Sequence, residues 1–157
     1  MWRRWVIVAT GLGVACGANN VRPKTPPRAD AVLDTISADP ALIIDSLAVL
    51  ASQRGLEIAR LSAAEGYLET KWFDLGSRRS GGKYSRHAER VIRIRIYADP
   101  TGDRRAVLRS EAVYRRSLDP SVPEGVLEEM VPIDHPGDSV LQALLQEIRP
   151  APAVVGS

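Results

Sequence analysis

Hydrophobic residues recur at helical spacing in two stretches of the chain and predict two amphipathic helices. The first begins at Pro40, because Asp39 is a suitable N-cap and proline fits the first helical position, and Gly55 ends it. The second extends from Pro136 to Ile148 and ends before Pro150. Their apolar faces consist of Ile43, Ile44, Leu47, Leu50 and Ala51, and of Val140, Leu141, Leu144, Leu145 and Ile148. Both faces are suited to covering a sheet.

Alternating apolar and polar residues predict strands between these helices. The predicted strands are residues 56–61, 67–73, 91–97 and 106–115, and residues 31–36 are favoured as an edge strand over a first helical turn. In strand 91–97 the isoleucines point inward and Arg93 and Arg95 point outward, so the sheet is expected to be solvated on that face. Cross-strand pairing with Glu111 is expected for most of the arginines on this face. In strand 67–73 the alternation places Leu68, Thr70 and Trp72 together on the core side.

The order of these elements predicts the fold class. Helices near both ends and a meander of strands between them indicate an α+β two-layer sandwich, with an antiparallel sheet of four to five strands covered by two helices, similar to a helix-grip fold. Residues 117–136 contain four prolines and predict an irregular connection with one helical turn at 124–130. A length of 157 residues is that of one domain.

The first residues have the pattern of an export signal. Met1 to Arg4 is a short basic start, and the eleven residues that follow form an apolar run ending in small residues. This run is too short to cross a bilayer, which takes about 20 apolar residues. Residues 1–15 are therefore predicted to be a signal peptide.

The single cysteine, Cys16, comes directly after the apolar run. This position resembles that of the acylated cysteine in bacterial lipoprotein signals, although Gly13 occupies the place that usually holds Leu, Val or Ile. Lipidation of Cys16 is the favoured interpretation, because an unpaired thiol is otherwise a liability in an exported protein. A secreted form with a free thiol and an uncleaved anchor are the alternatives. Gly17 resembles the residue found after the cysteine in lipoproteins sorted to the outer membrane.

Beyond the signal peptide the chain divides into three parts. Residues 16–29 are polar and proline-rich and are expected to form a lipidated, flexible tether. Residues 30–149 are expected to form the single α+β domain, and residues 150–157 a loose tail.

Composition and motifs exclude several functional classes. Lys and Arg number 21 against 19 Asp and Glu, and Arg3 and Arg4 belong to the signal peptide, so the mature chain is neutral and lacks the charge of a nucleic-acid binder. The two histidines, His87 and His135, have no metal ligand or nucleophile at a suitable spacing and are expected to be exposed or to cap a helix. The sequence predicts no catalytic residue, no metal and no cofactor.

One loop concentrates positive charge around an aromatic ring. Residues 74–89 are rich in Gly, Ser and Arg, a composition typical of an unpacked loop. Anionic lipid head groups or a protein partner would suit such a loop, and a solvated loop without function is the alternative. The candidate residues are Arg78, Arg79, Lys83, Tyr84 and Arg86.

The stretch EGYLETKWF at residues 65–73, after an amphipathic helix and before a long loop and an Arg-rich hairpin, resembles domains of BamC (NlpB)-type outer-membrane lipoproteins. The resemblance covers residues 41–148, and this chain has one such domain where the family has two. It implies a helix-grip sandwich without catalysis, anchored in the outer membrane and facing the periplasm. We therefore expect a non-enzymatic envelope lipoprotein that binds a protein partner or assists outer-envelope assembly. The alternative is a periplasmic carrier or binder of lipid or of another small anionic or hydrophobic ligand.

Overall fold

The computed structural model describes residues 21–81, 87–102, 104–117 and 119–149. Within these residues the chain forms eight strands, three α-helices and a short 3-10 helix at Ala88–Arg90. In chain order the elements are β1 Val32–Ile36, α1 Pro40–Gln53, β2 Ile58–Ser62, β3 Tyr67–Thr70, β4 Phe73–Asp74, β5 Arg79–Ser80, β6 Val91–Pro100, β7 Ala106–Arg115, α2 Glu124–Leu127, β8 Glu128–Met130 and α3 Pro136–Ile148.

The strands form one open antiparallel sheet packed against helices, which confirms the predicted α+β class. Five strands run in the order β1-β7-β6-β3-β2. The other three are short: β4 pairs with β5 and β6, and β8 pairs with β7. The long hairpin of β6 and β7 is the centre of the sheet, with β3 and β4 following each other along one side and β1 and β8 along the other.

Both long helices begin where the sequence predicts. The side chain of Asp39 accepts a hydrogen bond from the backbone N–H of Ala41 at 2.8 Å, which caps α1. At the start of α3 the ring of His135 accepts from the N–H of Gly137 at 3.0 Å, so this histidine is a helix cap. The edge strand near Val32 is also present, and it pairs with β7 along its whole length.

The main core lies between α1, α3 and one face of the sheet. Ile92, Ile94 and Ile96 of β6 are fully buried against the helices, as their alternation predicts. They pack with residues that are also fully buried and that come from both helices and from β7, namely Ile44, Leu47, Leu108, Ala112, Leu141, Leu144 and Leu145. This burial of aliphatic surface is the main source of the domain's stability.

In the predicted strand 67–73, the alternation of inward and outward residues breaks after Thr70. Its hydroxyl accepts a hydrogen bond from the N–H of Ile94 at 3.0 Å, and regular pairing resumes only at Phe73, in β4. Because of this break Phe73 joins the main core, while Trp72 packs with Val91 on the opposite face. The prediction that Trp72 shares a face with Leu68 is therefore wrong.

A tight turn positions β3 against β6. Gly66 has a positive φ of 61°, and a Cβ at this residue would lie 2.1 Å from the carbonyl oxygen of Ala98. The carbonyl of Gly66 in turn accepts a hydrogen bond from the N–H of Ala98 at 2.8 Å. The backbones approach so closely here that only glycine fits.

Candidate functional site

The face of the sheet turned away from the helices carries a group of buried charges, which we call the charged face. The sequence predicts that Arg93 and Arg95 extend into solvent, and this prediction is wrong, because their side chains are only 17% and 16% exposed. The residues that cover them come from outside the predicted meander, in α2, in β8 and in the segment before β1. The charged face consists of Glu69, Arg93, Arg95, Glu111 and Glu128.

Strand register places Arg95 at the centre of this face. Arg95 lies opposite Glu69 on β3 and opposite Glu111 on β7, and it is 3.6 Å from a carboxylate oxygen of each. Its Nη2 donates to both carboxylate oxygens of Glu128, at 2.8 and 2.7 Å. Nη1 of Arg93 lies 3.3 Å from Glu69 and 3.3 Å from Glu128. The expected cross-strand pairing with Glu111 is thus present for Arg95, and two further glutamates share the arginines.

An aromatic ring contacts two guanidinium groups at one end of the charged face. The guanidinium carbons of Arg93 and Arg115 lie 4.3 and 4.5 Å from the ring centroid of Trp72, within cation–π distance. The indole N–H donates to Glu124 at 2.7 Å, and Arg115 also donates to this carboxylate. Burial raises the pKa of Glu124, but the hydrogen bonds from Arg115 and Trp72 outweigh it, so the pKa lies below its ordinary value.

The two tyrosines and the central arginine of this region keep fixed protonation states. Burial, together with the neighbouring carboxylate of Glu69, raises the pKa of Tyr67, whose hydroxyl donates to Glu69 at 2.9 Å. Burial also raises the pKa of Tyr97, whose ring lies 5.1 Å from that of Tyr67. Burial lowers the pKa of Arg95, but Glu128 outweighs it and the net shift is upward. At physiological pH the tyrosines are therefore neutral donors beside a charged arginine.

The segment before β1 crosses the charged face, and we call residues 22–28 the strap. At one end, Arg22 binds Asp99 at 2.7 Å and donates from its backbone N–H to Glu65 at 2.7 Å. At the other end, the backbone N–H of Arg28 donates to Glu111 at 2.6 Å. The sequence assigns these residues to a flexible tether. In the structure, Arg22 and Arg28 instead form hydrogen bonds to carboxylates of the folded domain, and these bonds attach the strap to it.

A polar cavity of about 420 Å³ lies between the strap and the charged face. Four arginines and four glutamates of the described chain line it, and because their formal charges cancel, the cavity does not favour a simple anion or cation. The buried Nε atoms of Arg28 and Arg93 have no hydrogen-bond partner. Such a mixed lining suits groups that both donate and accept hydrogen bonds, as peptide groups do. The eight charged residues are Arg28, Arg60, Glu69, Arg93, Arg95, Glu111, Glu124 and Glu128.

A second cavity, of about 330 Å³, lies on the helix side of the sheet, and we call it the apolar cavity. It is bordered by the end of α1, by β4 and the turn that follows it, and by the first turns of α3. Leu56, Phe73 and Val140 provide apolar surface, and among the described residues of its lining only Arg54 and Arg78 are charged.

The residues of the predicted basic loop are only partly described. Arg78 and Arg79 are exposed, and Arg79 pairs with Asp74 in the short β4–β5 hairpin, which the sequence does not predict. Arg78 borders the apolar cavity, but Arg79 does not. Lys83, Tyr84 and Arg86 lie outside the described residues, as does Cys16. An anion or partner site in this loop and lipidation of Cys16 therefore remain predictions.

Sequence reasoning missed two of the three carboxylates of the charged face, Glu69 and Glu128. Glu69 could have been found, because the alternation that turns Leu68 inward turns Glu69 outward, toward the arginines of the next strand. Glu128 could not, because it belongs to β8, a three-residue strand whose sequence has no alternating pattern. The strap likewise has the composition of a linker.

Comparison with known proteins gives no relative from which a function could be transferred. No protein-family model matches the sequence, and no curated protein is similar enough to count as a match.

In the described part of the chain no group of histidine, cysteine, aspartate or glutamate residues could hold a metal ion. None of its helices is long and apolar enough to span a bilayer.

Proposed function

We propose that this chain is a non-enzymatic, lipid-anchored lipoprotein of the outer membrane, facing the periplasm, that binds a protein partner through its charged face. The observation that carries the proposal is the polar cavity between this face and the strap, whose arginines and glutamates balance each other. The resemblance of residues 65–73 to BamC-type lipoproteins favours a partner involved in assembling the outer envelope. The anchor is Cys16, which follows the apolar run of the signal peptide.

The contacts of the strap with the charged face support this proposal, because the strap is itself a polypeptide segment. A backbone N–H of the strap, that of Arg28, already bonds to Glu111, and a guanidinium of the strap bonds to the backbone carbonyl of Glu128. A partner segment would find the same kinds of donors and acceptors in the cavity. Because the charges cancel, recognition there would rest on directed hydrogen bonds rather than on net charge.

The pairing of the carboxylates favours binding over catalysis. Glu69, Glu111 and Glu128 are all buried, and each contacts a guanidinium group of the charged face. A carboxylate whose oxygens already accept from guanidinium groups is poorly placed to take a proton from a substrate. The ring of His135 is occupied as a helix cap and contacts the carbonyl of Glu89 at 2.8 Å.

The anchor is tested by replacing its thiol. In the full-length chain, Cys16→Ser should move the protein from the membrane fraction to the soluble fraction and abolish labelling by a fatty-acid analogue. If Cys16→Ser still fractionates with membranes, the apolar segment before it is the anchor, and the lipoprotein assignment is wrong.

The partner site is tested by photo-crosslinking from inside the polar cavity. Gly125 lines this cavity, and a Cβ there would meet no atom within 4 Å, so a side chain can be introduced at this position for a photoreactive amino acid. In intact cells it should give a discrete protein adduct, and the added substitution Arg60→Glu, on the cavity wall, should abolish it. Val49, 57% exposed on α1, is the control position. An adduct from position 49 but not from 125 would place the partner on the helix face instead.

A further inference from the structure

The apolar cavity has the chemistry of an amphiphile site. Its apolar wall comes from Leu56, Phe73, Leu75 and Val140, and no acidic residue of the described chain lines it. Its volume of about 330 Å³ is at the lower end of the range of about 300–1,000 Å³ that is usual for small-molecule pockets. This volume suits one short alkyl chain and is too small for a lipid with two chains.

The two arginines that border the cavity differ in what they already bind. The guanidinium of Arg54 is shared with Glu147 on α3. Arg78 is exposed, and no residue of the described chain forms a hydrogen bond or ion pair with its side chain. Its φ of 54° is a left-handed conformation that costs free energy in a residue other than glycine. The strained turn therefore holds, beside an apolar surface, a cation that no described residue compensates.

We propose that the apolar cavity binds a single-chain fatty acid, with its alkyl chain against Leu56, Phe73 and Val140 and its carboxylate on Arg78. A carboxylate is the head group whose geometry matches a single guanidinium, because two parallel N–H···O hydrogen bonds can join the two planar groups. A phosphate head group would need more charge than Arg78 alone supplies. The proposal does not rest on the proposed partner site, since the cavity and the charged face lie on opposite sides of the sheet.

Photolabelling of the full-length chain in phosphatidylcholine vesicles tests this site. The probe is a fatty acid with a diazirine in its alkyl chain, and its alcohol analogue is the uncharged control. The acid should label peptides that contain Leu75 or Val140, and dodecanoate should compete for labelling whereas dodecanol and acetate should not. Labelling by acid and alcohol to the same extent, or labelling elsewhere, would overturn the proposal.

Two pairs of variants distinguish the contribution of the fatty acid's carboxylate to binding from that of its alkyl chain. Arg78→Gly removes the cation and relieves the positive φ, and should weaken competition by dodecanoate about tenfold. Arg104→Gly is the matched control, because Arg104 has a φ of 55° and lies outside the cavity. Ala143→Trp should fill the cavity and abolish labelling, whereas Gln146→Trp, on the same helix but outside the cavity, should not. Equal affinity in Arg78→Gly and the native protein would show that no carboxylate binds there.

Discussion

At the scale of single residues, the charged face depends on arginines that each compensate several carboxylates. Arg95 contacts Glu69, Glu111 and Glu128, and all three glutamates are at least 95% buried. Burying a charge without a partner costs several kcal/mol, so these contacts are needed for folding even where they add little net stability.

Removal of this arginine should therefore be far more costly than removal of an exposed one. We expect Arg95→Leu to lower the free energy of unfolding by about 3–5 kcal/mol, because the carboxylates stay buried without their partner. Arg109→Leu is the control, since Arg109 is 42% exposed and pairs with Asp99 at the surface, and it should cost about 1 kcal/mol or less. Denaturant titration measures both, and equal losses would contradict this account.

Tyr67 links the stability of the same face to pH. Burial raises the pKa of the Tyr67 hydroxyl above the ordinary value of 10.0. The unfolded chain therefore loses the hydroxyl proton at a lower pH than the folded chain does. Stability from this group is present below pH 10 and falls as the pH rises above it. Tyr67→Phe should weaken this alkaline loss while costing about 1 kcal/mol at neutral pH, where the hydrogen bond to Glu69 is lost. Unfolding curves recorded between pH 8 and about pH 11 would show the difference; identical alkaline slopes would refute it.

At the scale of elements, the sequence predicts those helices and strands that are long and have a repeating apolar pattern. The helices α1 and α3 and the strands β6 and β7 each repeat an apolar pattern over seven or more residues, and all four are found where expected. The short strands β4, β5 and β8, of two or three residues, have no pattern of their own and exist because a neighbouring strand offers hydrogen bonds. The position of Trp72 was missed because the break after Thr70 reverses the alternation within one predicted strand.

The turn between β2 and β3 should tolerate no side chain. Gly66→Ala combines a positive φ with a Cβ only 2.1 Å from the carbonyl oxygen of Ala98, so the turn must move away from β6. We expect a loss of about 2–4 kcal/mol, from backbone strain and overpacking together. Gly102 has a φ of 84°, but a Cβ there would have no atom within 4 Å. Gly102→Ala therefore measures the cost of the backbone strain without a steric clash. If the two variants unfold at the same denaturant concentration, the close approach to Ala98 does not limit stability.

At the scale of the whole molecule, the strap determines how far the folded domain can lie from its proposed anchor. With Arg22 attached to the sheet, the chain from Cys16 to that residue can span at most about 20 Å. If the strap detaches as far as Ala31, the limit becomes about 50 Å. The sequence predicted a tether but not this attachment, because the carboxylates that bind the strap lie far away in sequence, at Glu65, Asp99 and Glu111.

Detaching the strap should therefore increase the distance between the domain and the membrane. In Arg22→Ala/Arg28→Ala the side-chain contacts to Asp99 and to the carbonyl of Glu128 are lost. We expect the mean distance of the domain from a supported bilayer, measured by neutron reflectometry on the full-length chain, to increase by up to about 30 Å. Lys24→Ala is the control, because Lys24 is exposed and lies between the two attachment points. An unchanged distance in the double variant would mean that the arginine side chains do not hold the strap to the sheet, and that the backbone bonds of Arg22 and Arg28 suffice.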